Sequence, residues 1–491
     1  MSSFAKLKPY LEKLHQYSYL VSILNYDLST TTPSKAIDEE SELLLEMMSK
    51  RSELMSDPAF IALLQKTQEE EKSNPMIQAL CKNMLKSSLF LSSLPKGLND
   101  SWNQAYQEST NAWRIAKEKC DYSIYLPKWK KAIEAKRDWA KRKKTEAMST
   151  VYDACLDDFE PGLREEEVDR IFNPLKEFLI ANLPEVMKRQ AECPAILPHK
   201  KVDQENLSYA VLKLIGYRLE EGAFRESEHP FSDTLARHDA RITTHYYEED
   251  WRSNLYSVIH EGGHAIQFQN WSSDMWKYHV AGFATAALCE THSRLFENLL
   301  GRSHEFAHVA LPLAKKHLKK EFKHMSEDEF YAAVNHVSPS LIRTEADEWT
   351  YSLHIIIRYE IERDLINGKI ECEDVPEIWN RKYKDYLGVD VPNDALGLMQ
   401  DIHWSDASIG YFPTYALGNL YGAQILDTMN KDFDVYEEVK NKRFKTIIAW
   451  LAKNDYAYDW MDPNDWIVQV TGKKLDSKYF VDYLTKKYLK A

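Results

Sequence analysis

The sequence predicts a mainly α-helical chain folded as one large domain. Three observations point there. Glycine is scarce, 15 residues in 491, about half the usual ~7%, and a chain with few glycines has few tight turns. Apolar residues recur at helical spacing over long stretches. Only one short stretch carries the composition of a β-strand. Hydrophobic residues make up 44% of the chain, enough for a large core.

Taken in order, Thr32-Pro33 predicts a helix start, with threonine as N-cap and proline at the first helical position. Leu44, Met47, Met48 and Met55 then recur at helical spacing, as do Val168, Ile171, Phe172, Leu175 and Leu179 after Pro161-Gly162. Both stripes are expected to face the core. Asp239–Tyr247 is rich in β-branched and aromatic residues and predicts a short strand. Helical patterns return in Tyr256–Phe268 and Ala286–Leu300. An irregular, proline-containing stretch at Leu183–Asp203 divides an N-terminal helical half (about 1–200) from a catalytic half (about 201–491). It is too short for a flexible tether, so one domain over 1–491 is expected.

Charge and cysteine usage narrow the partners. Net charge is -13, which repels phosphate backbones and anionic lipid. The basic run Lys141-Arg142-Lys143-Lys144 fits a solvated helix face, so no nucleic-acid contact is expected. The six cysteines are scattered and form no CxxC pair, which excludes a disulfide scaffold and a zinc knuckle. The N-terminus has no signal-peptide pattern. The longest apolar run, near Val280–Cys289, is about half the length of a membrane span. A cytoplasmic protein without membrane contact is expected.

The chemistry concentrates at His260-Glu261-Gly262-Gly263-His264. Residues four apart share a helix face, so two imidazoles can grip one ion. Glu261 sits one step round, where a general base for a bound water belongs. A metal lowers the pKa of water from 15.7 to about 7. At 1.36 kcal/mol per unit, hydroxide becomes about 12 kcal/mol easier to form. An open catalytic site wants a third protein ligand. HExxHxxGxxH is excluded, because positions 267 and 270 are Gln267 and Asn270. A carboxylate from a later helix remains. Glu290 is the first candidate, with an i,i+4 ion pair to Arg294 as its structural alternative, and Glu297 is the second. A second HExxH, His304–His308, is also followed by carboxylates, Glu327 and Glu329. Val258-Ile259 and Ala265-Ile266 flank the first motif and predict a buried helix, whereas the second follows a turn at Gly301-Arg302-Ser303. The two glycines inside the first motif imply close approach by a neighbour, or packing tolerance.

Ordered signatures extend this reading. His229-Pro230-Phe231, Asp239-x-Arg241-x-Thr243, His260–His264, Ile342-Arg343-Thr344-Glu345-Ala346-Asp347 and Gly397-Leu-Met-Gln400-Asp401-Ile-His403-Trp404 occur in series. Gly410-Tyr411-Phe412-Pro413-Thr414-Tyr415 and Gly418-Asn419 follow, with Tyr152-Asp153-Ala154 and Glu160-Pro161-Gly162 upstream. Together they resemble the carboxypeptidase Taq family of metallocarboxypeptidases over nearly the whole chain. The resemblance implies a mainly α fold with a small antiparallel β-sheet beside a deep active-site groove, and a homodimer. It implies His260, His264 and Glu290 as ligands of one divalent metal ion per subunit, zinc or cobalt, with zinc the expectation. One departure stands out: Cys289 occupies the place of the family's usual histidine before the metal-binding glutamate.

The implied reaction removes single C-terminal residues from peptides with broad specificity. Glu261 is the expected base, and His403 and Tyr415 the expected oxyanion donors. Arg343 is the expected reader of the substrate's terminal carboxylate, its structural alternative being an ion pair with Glu345 or Asp347. Arg241 and Thr243 are expected to bind the substrate backbone by strand pairing, with an Asp239–Arg241 pair as the alternative. Asp239 and Tyr411 complete the candidate substrate-binding set. A metallo-oligopeptidase using the same triad, and a catalytically silent peptide-binding protein, are the competing functions.

Overall fold

The computed structural model describes residues 2–490. It opens with a helical hairpin, Ser3–Thr30 and Ile37–Met55. The predicted helix start at Thr32-Pro33 is four residues early. The first helix runs up to Thr30, the backbone N–H groups of Thr31 and Thr32 donate to the Asp27 carbonyl, and the next helix begins only at Ile37. The Leu44–Met55 stripe is also not core. Ile37–Met55 buries no residue fully, because it packs mainly on the first helix and leaves its other faces exposed.

Glu165–Arg189 fulfils its pattern. Val168, Ile171, Phe172, Leu175 and Leu179 are all buried. Three glutamates open its first turn and Lys188 and Arg189 close its last, which complements the helix dipole. This helix carries Leu183–Arg189, and a new one begins at Lys201, so the irregular stretch shrinks to residues 190–200. Buried apolar side chains from Leu7 to Leu484 belong to one contiguous core.

The sheet has three strands, β1 (Phe224–Glu226), β2 (Ser232–Ala236) and β3 (Asp239–Thr244), in the order β1-β3-β2. It is mixed rather than antiparallel: β2 and β3 form an antiparallel hairpin, while β1 lies parallel to β3. The link Ser227–Phe231 causes this. It crosses the end of β3 and delivers β2 to the far side. Thr243 pins it there, its N–H donating to Phe231 O (2.9 Å) and its Oγ1 accepting from Phe231 N (2.9 Å).

Two helices behind the sheet carry the motif residues. Trp251–Gln269 is capped by Asp250 and holds His260–His264. Ala286–Arg294 holds Glu290 and runs into a wider π-helical turn, Leu295–Leu300. The helices approach closely at Gly263, where a Cβ would stand 2.8 Å from His292 O and Ser293 Cα. A third helix, Phe412–Met429, meets Ala286–Arg294 at Gly418, where a Cβ would stand 2.8 Å from the Glu290 Cβ. Among the described residues no helix is long and apolar enough to cross a membrane.

Candidate metal centre and active site

His260 and His264 face the same side of their helix, with ring centroids 5.0 Å apart. Glu290 reaches across from the neighbouring helix, its Oε2 3.7 Å from His260 Nε2. One ligand atom from each of the three lies within 4.8 Å of the others. Two imidazoles and a carboxylate are the donor set of an open, three-ligand catalytic centre.

The protonation states suit an ion. Burial, with the positive charge of His260, His292 and Arg294, pushes the His264 pKa well below its ordinary value, so its imidazole is neutral, as binding an ion requires. Its buried Nδ1 has no hydrogen-bond partner among the described residues. His260 is oriented by Glu297, whose Oε2 accepts from Nδ1 at 2.9 Å and leaves Nε2 turned toward Glu290. Burial opposes the charged form of His260, but Glu297 and Glu290 outweigh it and raise its pKa. Glu297 therefore stands outside the group of three and backs His260, the place a carboxylate commonly takes beside a metal-binding histidine. The π turn places it there, while Arg294 (2.9 Å) and Arg302 (3.4 Å) balance its charge. Burial raises the Glu297 carboxyl, yet Arg294 and His260 hold it well below the usual carboxylate range.

Glu261 is buried beside the triad. Ser232 of β2 donates to its Oε2 at 2.5 Å. Burial first, then the charges of Glu290 and Glu297, raise its pKa, against the pull of His260 and Ser232. A raised carboxyl is a stronger base once ionised. The arrangement can therefore hold an ion, fix one carboxylate oxygen of Glu261 and leave the other free for a proton.

Residues 401–415 come next to the triad, Tyr415 lying on the helix that meets Glu290 at Gly418. His403 Nε2 lies 3.3 Å from the Tyr415 hydroxyl, and the Tyr411 and Tyr415 rings meet edge-on at 5.1 Å. Burial pushes His403 down to about 4, so it is neutral at pH 7. Burial also raises Tyr415 and Tyr411, keeping both hydroxyls protonated. Arg343 is buried and paired with Asp401 rather than with Glu345 or Asp347. Its Nε and Nη2 donate to Asp401 Oδ1 at 3.0 and 2.9 Å, and Nη1 to the Tyr351 hydroxyl at 3.3 Å. Asp347 instead caps the next helix, accepting from the Trp349 and Thr350 N–H groups at 3.0 and 2.9 Å. Of the five N–H groups of a guanidinium, three are engaged and two remain.

Strand pairing of substrate with Arg241 and Thr243 does not fit. β3 is the central strand, with both edges occupied by β1 and β2. Thr243 is fully buried, its Oγ1 accepting from Ser227 at 2.7 Å. Arg241 and Asp239 form a two-point ion pair, 2.8 Å in each arm, and the guanidinium lies over the Tyr26 ring of the first helix at 5.2 Å. The second HExxH lies on the surface. His308 pairs with Glu327 at 2.9 Å, with both side chains about half exposed, and His304 stacks on Tyr331. No metal-capable group forms there among the described residues.

Sequence reasoning missed Ser232, the orienting role of Glu297, and the partner of His292. His292 lies two residues after Glu290 on the same helix. It points away from the triad, its Nε2 3.0 Å from Asp455 Oδ2. Cys289 is not in the ligand group, and burial keeps its thiol protonated.

Comparison with known proteins finds matches over nearly the whole chain. A family model described as carboxypeptidase Taq (M32) metallopeptidase matches residues 6–488. Carboxypeptidase 1 of Bacillus subtilis is 32% identical, over 97% of this chain and 96% of its own length. The M32 carboxypeptidase of Deinococcus radiodurans superposes with a TM-score of 0.94 at 26% identity, over 99% of each chain. The Pyrococcus furiosus carboxypeptidase, titled an Apo-Mg structure, gives 0.94 at 30% identity, over 98% of each chain.

Proposed function

We propose that this chain, which belongs to the carboxypeptidase Taq (M32) metallopeptidase family and is a metal-dependent carboxypeptidase, runs its reaction through His260, His264, Glu290 and Glu261. The supporting observation is the gathering of three ligand atoms within 4.8 Å beside a carboxylate held by Ser232. The family's divalent ion is zinc in this proposal, since two imidazoles and a carboxylate suit it. When bound, such an ion acidifies water and polarises a carbonyl.

The residues around it divide the remaining work. Glu261 takes a proton on Oε1, the oxygen that Ser232 leaves free, and returns it to the leaving amine. Tyr415 donates its hydroxyl hydrogen to the oxyanion of the scissile carbonyl. His403 shares its Nε2 with that hydroxyl and orients it. The two free N–H groups of Arg343 take the substrate's terminal carboxylate, and Asp401 holds the guanidinium in place. Tyr411 lines the wall beside Tyr415. The Asp239–Arg241 pair and Thr243 shape the sheet rather than pair with the peptide.

The protein is further proposed to be a cytoplasmic homodimer. The helix Ile37–Met55 exposes Ile37, Leu43, Leu45 and Met48, an apolar stretch that a second copy would cover. Light scattering of the purified chain tests the dimer. For the reaction, peptides with free and amidated C-termini are compared with metal supplied. Most activity should disappear on amidation. Equal rates on the two would replace the exopeptidase with an oligopeptidase, and no turnover of either would leave a peptide-binding protein.

A further inference from the structure

Next to the metal centre lies a buried polar cluster that the reaction does not use. A single turn, Asp455–Asp459, reaches both metal-bearing helices, meeting one beyond His264 and the other beside Glu290. Asp459 Oδ2 accepts from Gln267 Nε2 at 2.8 Å and from Trp271 Nε1 at 2.7 Å. Asp455 Oδ2 pairs with His292 Nε2 at 3.0 Å, and its Oδ1 accepts from Trp466 Nε1 at 3.0 Å. Gln267, His292, Asp455 and Asp459 are all fully buried. Gln267 follows His264 by three residues and His292 follows Glu290 by two, so each anchor lies one turn or less from a ligand.

We propose that Gln267, His292, Asp455 and Asp459 are positioning residues, a brace that sets the distance between His264 on one helix and Glu290 on the other. Three of the four carboxylate oxygens already face N–H groups, and those donors would repel a cation. Hydrogen bonding, rather than a second ion, therefore accounts for His292, Asp455 and Asp459 standing close enough to share one. The brace matters because catalytic geometry must hold within about 0.5 Å. Partners outside the ligand shell typically change metal affinity or activity ~10–100-fold. The inference rests on His260, His264 and Glu290 being the ligands.

The test uses the full chain and zinc alone, titrated against a chromophoric chelator, with steady-state kinetics at saturating zinc. Gln267→Met removes one donor at nearly constant volume. Asp459→Ala removes the acceptor, and Asp459→Asn keeps an oxygen for both donors. Gln267→Met and Asp459→Ala should raise the zinc Kd ~10–100-fold and lower kcat, with KM within about twofold of the parent. Asp459→Asn should stay within about threefold of the parent on each measure. If Asp459→Ala fails to fold, Gln267→Met decides alone. Wild-type zinc affinity and kcat in Gln267→Met, whatever its Tm, overturn the brace. Two ions per wild-type chain, with one lost in Asp459→Ala, overturn it in favour of a cation site. His264→Ala separates the premise from the inference: if it keeps wild-type zinc affinity, the ligand assignment fails instead.

Discussion

Gly262 and Gly263 are adjacent and buried in one helix, yet alanine should affect them differently. Each glycine costs the helix ~1 kcal/mol relative to alanine, so alanine begins with that gain at either position. At Gly262 a Cβ would meet Ile215 Cδ1 at 2.7 Å and Leu212 Cδ2 at 3.2 Å, the far ends of two flexible side chains. These side-chain ends can swing aside by the roughly 0.7 Å required without moving the backbone, and overpacking of ~1 kcal/mol offsets the gain. Gly262→Ala should lie within about 1 kcal/mol of wild type. At Gly263 the same Cβ would meet His292 O and Ser293 Cα at 2.8 Å, which are backbone atoms of the Glu290 helix. Ordinary contact begins near 3.4 Å, so the helices must separate by about 0.6 Å. Overpacking at its upper end, ~3 kcal/mol, then exceeds the helix gain, for a net loss of about 2 kcal/mol. The same displacement moves Glu290 away from His264 by more than a metal site tolerates. Thermal unfolding with and without zinc, together with zinc titration, measures both effects. A Gly263→Ala protein that binds zinc as tightly as wild type, or a Gly262→Ala protein that is the worse of the two, refutes the reasoning.

Other substitutions test separate parts of the site. Glu261→Gln should keep zinc affinity while kcat falls ~10²–10⁴-fold. Persistent turnover, with zinc stoichiometry measured on the same sample, would remove Glu261 from its role. Asp401→Asn leaves the buried Arg343 and Arg358 without their shared carboxylate, a loss of ~3–5 kcal/mol. Burial raises the Asp401 carboxyl, but Arg358 and Arg343 outweigh it and hold its pKa well below the ordinary value. The stability from these pairs is therefore complete above the unfolded pKa of ~3.9 and lost as pH falls below it. Tm measured from pH 5 to pH 3 should fall more steeply in wild type than in Asp401→Asn. His308→Ala, in the surface HExxH, should change stability by less than about 0.5 kcal/mol and leave zinc content and kcat unaltered.

What the sequence disclosed about the site follows from what helical periodicity encodes. A spacing of four places His260 and His264 on one face, so their pairing was legible. It does not say what packs against the other faces. Ser232, which holds Glu261, lies 29 residues upstream, and Asp459, which meets Gln267, lies 192 residues downstream. Arg343 misled in the same way. Glu345 and Asp347 are its neighbours in the chain, but its partner Asp401 is 58 residues away. The strand at Asp239 was legible from composition, whereas its central position was not. That depends on the Ser227–Phe231 link crossing β3, which no single-strand pattern records. The helix start at Thr32-Pro33 followed a sound local rule and failed because the preceding helix claimed the backbone N–H groups of Thr31 and Thr32.

The two HExxH segments show why a motif needs its surroundings. Both place two histidines four apart, both carry an adjacent glutamate, and both have acidic residues downstream. The first lies between Val258-Ile259 and Ala265-Ile266, so its helix is buried and other helices must pack around it. Burial does three things there. It keeps His264 neutral, it raises the Glu261 carboxyl, and it brings Glu290 and Glu297 in from a helix that must bury its own apolar face. At His304–His308 the motif opens a helix at the surface, so His308 finds an exposed glutamate and His304 a tyrosine ring. Solvated groups of that kind exchange partners with water at little cost. The apolar residues flanking the first motif therefore carry as much of the functional signal as its histidines, because they set the dielectric and supply the neighbours that suit the histidines to a metal.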